Sequence, residues 1–240
     1  MENTNMTTTT TTTTTTKMNI SSETLDLLKN FSSINSNILI KEGNRIRTIS
    51  NYKNVLAEAT VSETFDTEFG IWDLTKFLGT VSLFDSPSFD FGERSVTVSG
   101  NNGAEVIYYY CEPKLLTTVT KNIKMPDAVV NCELLEYDFK EIQKSASVLQ
   151  LPDLKISSEG DKVILTVQDR KDPSSNTYSM EIGDHTEDST FEFFFKMENL
   201  KMLTGDYDVE ICQNSVACFT NKNIDLKYWI AMEPDSNYNG

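Results

Sequence analysis

The chain has 240 residues, and its 21 Lys and Arg against 36 Asp and Glu give a formal net charge of −15 at pH 7. This charge argues for a soluble protein and against one that binds nucleic acid over its whole surface. Because no apolar run reaches the roughly 20 residues of a membrane helix and the first residues do not form a secretory signal, we expect neither membrane insertion nor secretion.

Residues 1–17 include ten consecutive threonines, at positions 7–16. A polar run of this kind has no apolar face to bury, so we predict a disordered tail. A glycosylated, mucin-like stalk is the alternative, and it would require secretion. The polar residues 235–240 are predicted to form a frayed C-terminal tail.

The first half opens with an amphipathic helix in SETLDLLKNFSSI, residues 22–34. Ser22 is the predicted cap, and Leu25, Leu28 and Phe31 form one apolar stripe with Lys29 on the opposite face. A shorter helix is predicted from Asp73. The segments around these helices are β-branched or aromatic and are bounded by turn residues, which predicts strands in ILIKEG, RIRTIS, VLAEATV, SVTVSG and EVIYYY.

The second half repeats this order. A helix is predicted from an Asp138 cap, a shorter one from Met197, and strands in KISSEG, KVILTVQD, TYSMEIG, TFEFFFK, YDVEIC and DLKYWIAM. This duplication predicts an α+β fold of two tandem similar domains, each an antiparallel sheet with two helices on one face. The domains are residues 18–113 and 132–234, and residues 114–131 form the interdomain linker.

The sequence contains no recognised catalytic, metal-binding or phosphate-binding motif. The single histidine, His185, lies in GDHTEDS, whose spacing matches no zinc pattern and favours a solvated loop. There is no phosphate-binding glycine motif, and the four cysteines lack CxxC spacing, which favours reduced thiols. We therefore expect no catalytic residue, no metal and no cofactor. A hydrolase that uses paired carboxylates such as Asp66 and Glu68 is the alternative.

Lysines are concentrated on the predicted helices. Acidic and basic residues balance within the four helices and their flanks, so the rest of the chain carries the excess of negative charge. Several of the acids lie at helix N-termini, where they complement the helix dipole. The lysines that remain on one solvent-facing surface are Lys29, Lys76, Lys140, Lys144 and Lys201. An ordinary solvated helix face would have the same pattern.

The strand EVIYYYC, residues 105–111, is aromatic, nearly uncharged and poorly suited to be a free sheet edge. If it pairs with a strand from the other half of a neighbouring copy, the contact is heterologous and closes into a ring or grows into a filament. A ring is the soluble outcome.

Two blocks of the sequence resemble the sliding clamps of T-even-type bacteriophages. LLKNFSSINSNILIKEG, from Leu27 to Gly43, resembles their opening helix and hairpin. KMENLKMLTGDYDVEI and the end of the last strand, AMEPDS, resemble segments of their second half. The likeness covers roughly residues 17–236, and the threonine tail has no counterpart in the family.

This resemblance implies a DNA-clamp fold in a closed ring of three subunits. Such a ring is a processivity factor without enzymatic activity, which encircles double-stranded DNA and tethers the replicative DNA polymerase in the cytoplasm of the infected bacterial host. A clamp loader places it on DNA, and late-transcription factors are further partners. The implied subunit contact pairs two strands, represented by Val106, Ile107, Tyr108, Tyr109, Tyr110, Thr177, Tyr178, Ser179, Met180 and Ile182. The candidates for a partner-peptide groove are Leu115, Leu116, Val119, Met125, Ile230 and Met232.

Packing of these linker residues against the sheet is an equal alternative to a groove. For the whole protein, the alternatives are a β-rich structural or interaction protein of a virus and an acidic DNA mimic. The mass of the assembly separates these classes, because a trimer favours the clamp.

Overall fold

The computed structural model describes residues 16–120, 122–213 and 216–240. Its first half contains the elements β1 (Thr16–Met18), α1 (Ser22–Ile34), β2 (Ile38–Ile40), β3 (Gly43–Ile49), β4 (Val55–Phe65), β5 (Phe69–Ile71), α2 (Leu74–Val81), β6 (Ser88–Phe91), β7 (Ser95–Ser99) and β8 (Glu105–Tyr109).

After a short 3₁₀ turn at Pro113–Leu115, the second half follows the same course. It contains β9 (Ala128–Leu134), α3 (Glu136–Leu149), β10 (Asp153–Glu159), β11 (Lys162–Gln168), β12 (Tyr178–Asp184), β13 (Thr190–Lys196), β14 (Tyr207–Cys212), β15 (Val216–Asn221), β16 (Leu226–Ala231) and β17 (Asn237–Asn239).

The strands form three large antiparallel sheets and one small one. A four-stranded sheet has the order β1-β6-β7-β8, and a five-stranded sheet has the order β12-β11-β10-β13-β17. Between them, a six-stranded central sheet (β3-β4-β16-β15-β14-β9) joins the two halves where β4 pairs with β16. Strands β2 and β5 form a separate pair. The predicted α+β class with antiparallel sheets is confirmed.

Helix α1 is an amphipathic surface helix with a side-chain cap. Ser21, one residue before the predicted cap, accepts the Thr24 N–H at 3.2 Å. Leu28 and Phe31 are buried as predicted, but Leu27 takes the place expected for Leu25, which is only half-buried. The apolar face packs against β3 and β4, and α1 also contacts α2.

Helix α3 begins at Glu136, two residues before the predicted Asp138 cap. A carboxylate from a distant loop makes this early start possible, because Asp206 Oδ1 accepts the Glu136 N–H at 2.8 Å. Phe139 and Ile142 are buried against the neighbouring strands. The shorter helix predicted from Asp73 is present as α2, and Asp73 is its N-cap, since its side chain accepts the Lys76 N–H at 2.8 Å.

The predicted second helix of the second half was wrong. Of the predicted helix MENLKML, only Met197–Asn199 is helical, and it forms one 3₁₀ turn. A segment as short as MENLKML does not form a stable α-helix without tertiary support. Two main-chain carbonyls just after this turn accept hydrogen bonds from side chains of α1 and α3. Asn30 donates to the Lys201 carbonyl at 2.9 Å, and Gln143 donates to the Leu200 carbonyl at 3.3 Å.

Strands extend into the predicted tails and linker. The prediction for residues 1–15 lies outside the described residues, but Thr16 and Lys17 belong to β1, which pairs with β6. The predicted C-terminal tail contains β17, which pairs with β13, and the Ser236 hydroxyl accepts the Phe194 N–H at 2.9 Å. Strand β9 occupies the last four residues of the predicted linker.

Candidate nucleic-acid and protein interfaces

All five lysines of the predicted nucleic-acid surface are exposed. Lys29 and Lys76 project from α1 and α2, Lys140 and Lys144 from α3, and Lys201 from the segment after the 3₁₀ turn. Each of the four helical lysines lies opposite the buried face of its helix, as the 3.6-residue period requires.

The segment Leu200–Lys201 brings the helices of the two halves onto one surface. Asn30 of α1 and Gln143 of α3 both donate to its carbonyls. The helices that carry Lys29 and Lys144 therefore both contact this segment. The Lys201 ammonium group donates to the Ser33 carbonyl at 3.1 Å, at the C-terminal end of α1.

Carboxylates neutralise these lysines only in part. Lys140 forms an ion pair with Glu136, one turn earlier in α3. For Lys29, Lys76 and Lys144 the described residues provide no ion pair within 4 Å. On the sheets and their loops, carboxylates pair with some of the lysines, namely Lys155, Lys162, Lys196 and Lys222. Positive charge that is available to an anion is therefore present on the helical surface.

The arginines lie on the sheet strands or in the turns between them, and carboxylates pair with Arg45, Arg47 and Arg170. Arg47 pairs with Glu58 at 2.8 Å and Arg45 with the same carboxylate at 3.4 Å. Arg170 pairs with Asp235 at 2.7 Å. An arginine would bind phosphate in fixed bidentate geometry, whereas a lysine is a flexible point charge. The helical surface is therefore suited to weak contacts that can exchange.

Strand β8 is a free edge of the four-stranded sheet. The Tyr110 N–H donates to the Arg94 carbonyl at 3.0 Å, so by antiparallel alternation the N–H groups of Ile107 and Tyr109 point away from β7. The side chains of these two residues are also exposed, Tyr109 by 72%. Val106, in contrast, is half-buried.

Two tyrosines fix the inner face of β8. The Tyr108 hydroxyl donates to the Asp73 carbonyl at 3.1 Å, at the start of α2. The Tyr110 ring stacks on Phe69, with 5.1 Å between the centroids. Burial, and then the nearby Asp90 carboxylate, raise the pKa of Tyr110, so its ring is neutral and packs as part of the core.

Strand β12 is the corresponding free edge of the five-stranded sheet. Tyr178, Met180 and Ile182 are half-buried and Ser179 is exposed, while Thr177 just precedes the strand. The Tyr178 hydroxyl donates to Glu141 of α3 at 3.3 Å. Both predicted interface segments therefore have an unpaired strand edge in the described subunit.

An apolar groove lies where the linker crosses the outer face of the central sheet. Its volume is about 400 Å³, and its apolar lining consists of Ile49, Leu56, Val119, Ile123, Val216, Trp229 and Ala231. Of the six predicted groove residues, Val119 alone belongs to this lining. Leu115 is exposed, Met125 and Met232 are half-buried, and none of the three lines this groove.

Two of the groove predictions were wrong. Ile230 is fully buried, because it lies on the core face of β16. Leu116 is also buried and packs so closely over Gly70 that a Cβ at that glycine would lie 2.7 Å from Leu116 Cδ1. The alternation of β16 places Trp229, which the sequence analysis missed, on the groove face next to Ile230.

His185 is not in a solvated loop as predicted. It is buried, its Nε2 lies 2.8 Å from the Ser189 carbonyl, and its ring packs edge-on against Phe191 at 5.1 Å. Among the described residues, no group of three or more His, Cys, Asp and Glu side chains is arranged to hold a metal ion. His185 is therefore a buried residue that contributes to packing and hydrogen bonding.

Over the described ranges, none of the helices has the length and hydropathy needed to cross a membrane.

Family models match both halves of the chain. Residues 21–89 match the DNA polymerase processivity factor family, and residues 131–234 match the gp45 sliding clamp, C terminal. The sliding clamp of Vibrio phage KVP40 is 30% identical over 221 residues, which cover 90% of this chain and 99% of the relative. The sliding clamp of Enterobacteria phage T4 is 29% identical over 232 residues, covering 92% and 99%.

Solved clamp structures share the fold. Proliferating cellular nuclear antigen from Entamoeba histolytica aligns with a TM-score of 0.66 at 13% identity, covering 91% of this chain and 98% of that one. The beta clamp of H. pylori aligns with a TM-score of 0.69 at 11% identity, covering 90% of this chain and 66% of that one. At these identities the likeness concerns the fold, which is the DNA-clamp fold.

Proposed function

The chain belongs to the family of bacteriophage sliding clamps, and on this basis we propose that it encircles duplex DNA and tethers the replicative DNA polymerase. The observation that carries this proposal is the helical surface around Leu200–Lys201, where lysines from both halves of the chain converge. A processivity factor needs a surface that follows DNA without gripping it, and exposed lysines supply it.

The proposed assembly is a closed ring of three subunits. Each subunit contributes the domains 18–113 and 132–234, joined by the linker 114–131. Strand β8 of one subunit pairs with β12 of the next, which continues the four-stranded sheet into the five-stranded sheet of the neighbour. Because the two edges differ, the contact is heterologous, and closure after three copies leaves no free edge of this kind.

Five lysines face the DNA in this proposal: Lys29, Lys76, Lys140, Lys144 and Lys201. A ring is retained on DNA by topology, so each phosphate contact can stay weak and the ring can slide. The carboxylate-rich sheets on the outside repel DNA and disfavour binding there.

Partner proteins use the groove beside Trp229. It is apolar, and an extended peptide can lie along it against the linker. We assign the polymerase, the clamp loader and late-transcription factors to this groove as competing or successive partners. The ring itself is not an enzyme and needs no cofactor, and it acts in the cytoplasm of the infected bacterial host.

Retention on DNA tests the function. The protein is loaded by its clamp loader and ATP onto a nicked circular plasmid and separated by gel filtration. We expect it to elute with the plasmid and to be lost when a restriction enzyme linearises that plasmid. Equal retention on circular and linear DNA would refute topological binding, and a monomeric or dimeric mass would refute the three-subunit ring.

A further inference from the structure

Residues 233–239, here called the covering segment, lie along one edge of the five-stranded sheet. Strand β17 of this segment pairs with β13, and before it the Glu233 N–H donates to the Phe194 carbonyl at 2.8 Å. Because the main-chain groups of Phe194 therefore point towards the covering segment, antiparallel alternation directs those of Glu192 and Thr190 to the same side. The covering segment thus satisfies the outer hydrogen-bonding groups of β13 along most of its length.

A β-turn at the start of the covering segment presents a carboxylate to Arg170. The Ser236 N–H donates to the Glu233 carbonyl at 3.1 Å, and Pro234 occupies the second position of this turn, where proline is favoured. Asp235, at the third position, pairs with Arg170 at 2.7 Å. The hydrogen bond from Arg170 lowers the pKa of Asp235, so this carboxylate stays charged at neutral pH.

Arg170 is itself held in place by the sheet. Its Nε lies 3.7 Å from the buried carboxylate of Asp153, which also pairs with the Lys196 ammonium group, and its guanidinium carbon lies 4.4 Å from the centroid of the Phe194 ring. Glu233 Oε2 adds contacts of 3.8 Å to Arg170 and 3.9 Å to Lys196. A buried carboxylate requires its cations, because removing one leaves charge uncompensated. The covering segment is therefore anchored to a fixed group.

Strand β13 is poorly suited to be a free edge. Its sequence TFEFFFK contains four phenylalanines, and its one glutamate and one lysine cancel in charge. Segments of this length with high β-propensity, little net charge and no proline tend to pair with other chains, and very short edge strands are one way to prevent this. Strand β17 has three residues, and the three residues of β1 cover β6 of the four-stranded sheet in the same way. The longer edge strands of these two sheets are β8 and β12.

We propose that β13 is a latent self-association edge, and that the covering segment, anchored by Arg170, prevents it from pairing with β13 of a second copy. Strand pairing between subunits is thereby confined to β8 and β12; this consequence rests on the proposed function, whereas the protection of β13 does not. Without the covering segment, two β13 strands would pair antiparallel in an isologous contact, which closes after two copies. Rings joined in this way would contain multiples of three subunits.

Sedimentation velocity of a truncated chain tests this proposal. The variant ends at Pro234, so it loses β17 and Asp235 but keeps Glu233 beside the cations of Asp153. We expect the full-length chain to be trimeric and the truncated chain to form pairs of rings as its concentration rises. In the Ile107→Pro background, where β8 cannot pair, we expect monomers with the covering segment and dimers without it. An unchanged mass after truncation in this background would overturn the proposal. A full-length chain that is not trimeric would instead refute the ring, while the masses with and without the covering segment would still test the protection of β13.

Full-length variants keep the proposal testable if the truncated chain does not fold. Asn237 and Asn239 lie opposite Glu192 and Thr190, so their N–H groups face β13. Replacing both asparagines by proline removes these donors and should cause the same association as truncation. Replacing both by alanine keeps the donors and should leave the mass unchanged. Equal masses of the proline and alanine variants would overturn the proposal.

Hydrogen exchange at residue resolution tests the anchor. Asp235→Asn removes the pair with Arg170 and should raise the exchange rates of the Thr190 and Glu192 amides about threefold, since the loss of an exposed ion pair makes local opening more frequent. The control Glu133→Gln removes an exposed ion pair on β9 and should leave these rates unchanged. The Phe193 amide faces β10 and is the internal reference. Equal rates in Asp235→Asn and the parent would overturn the role of Arg170.

Discussion

The ion pair between Lys140 and Glu136 predicts unequal roles for the two lysines of α3. An exposed pair at i and i+4 contributes about 0.3–0.5 kcal/mol. Lys140 must give up this pair before it binds a phosphate, whereas Lys144 has no such partner in the described residues. A phosphate contact of Lys140 should therefore be about twofold weaker than one of Lys144. We expect Lys144→Gln to reduce DNA affinity more than Lys140→Gln.

The salt dependence of binding to a short fluorescent duplex measures this difference. Each phosphate contact contributes about 0.9 to the slope of log K against log salt concentration, so Lys144→Gln in three subunits should reduce the slope by at most about 3. Glu136→Gln frees Lys140 and should raise affinity by about twofold per contact, while the control Glu159→Gln should leave it unchanged. If Lys140→Gln costs as much as Lys144→Gln, or Glu136→Gln does not tighten binding, the reasoning is wrong.

Three further predictions concern stability, assembly and partner binding. Glu63→Gln should reduce the free energy of unfolding by about 1–2 kcal/mol, because Glu63 accepts two hydrogen bonds at the start of α1. Burial opposes these bonds, yet they hold the pKa of Glu63 below its usual value. Its contribution is therefore present above the unfolded-state pKa and lost as pH falls through the folded-state pKa, and urea unfolding of variant and parent should converge in acid; a constant difference would contradict this. Ile107→Pro removes an N–H from the free edge and should yield monomers in sedimentation, whereas Ile107→Val should remain trimeric; a trimeric proline variant would exclude β8 from the contact. Trp229→Ala should abolish stimulation of the polymerase but not plasmid retention, and full stimulation would exclude the groove.

Local sequence patterns predicted the helices better than the strands. The periodicity of α1 and α3 and the start of α2 near Asp73 are properties of neighbouring residues, so they were visible in the sequence. Strands β1, β5, β6, β9, β15 and β17 were missed. Strand β9, for example, is stabilised by pairing with β14, which lies far along the chain. The supposed helix at Met197 failed for a related reason, since side chains from other elements satisfy its backbone.

The lysine surface and the groove differ in how well the sequence indicates them. The helical period places Lys29, Lys76, Lys140 and Lys144 opposite the core. These four and Lys201 were predicted to be exposed, and all five are. Lys201 was included on the basis of a helix that does not form, yet two side chains tie its segment to the same surface. Alternation along β16 separates Trp229 from Ile230 but does not say which face the linker covers. That choice depends on tertiary packing, and the wrong residue was chosen.

The strongly acidic composition is consistent with a protein that holds DNA. A protein that binds DNA by affinity needs excess positive charge, because each phosphate contact contributes to the binding free energy. A closed ring needs only enough attraction to keep the duplex aligned, and strong attraction would slow its sliding. In this chain, carboxylates neutralise most of the sheet arginines and several sheet lysines, while Lys29, Lys76 and Lys144 remain without ion pairs in the described residues. Adding lysines to the outer sheets should therefore create binding that competes with sliding, even though total affinity for DNA would rise.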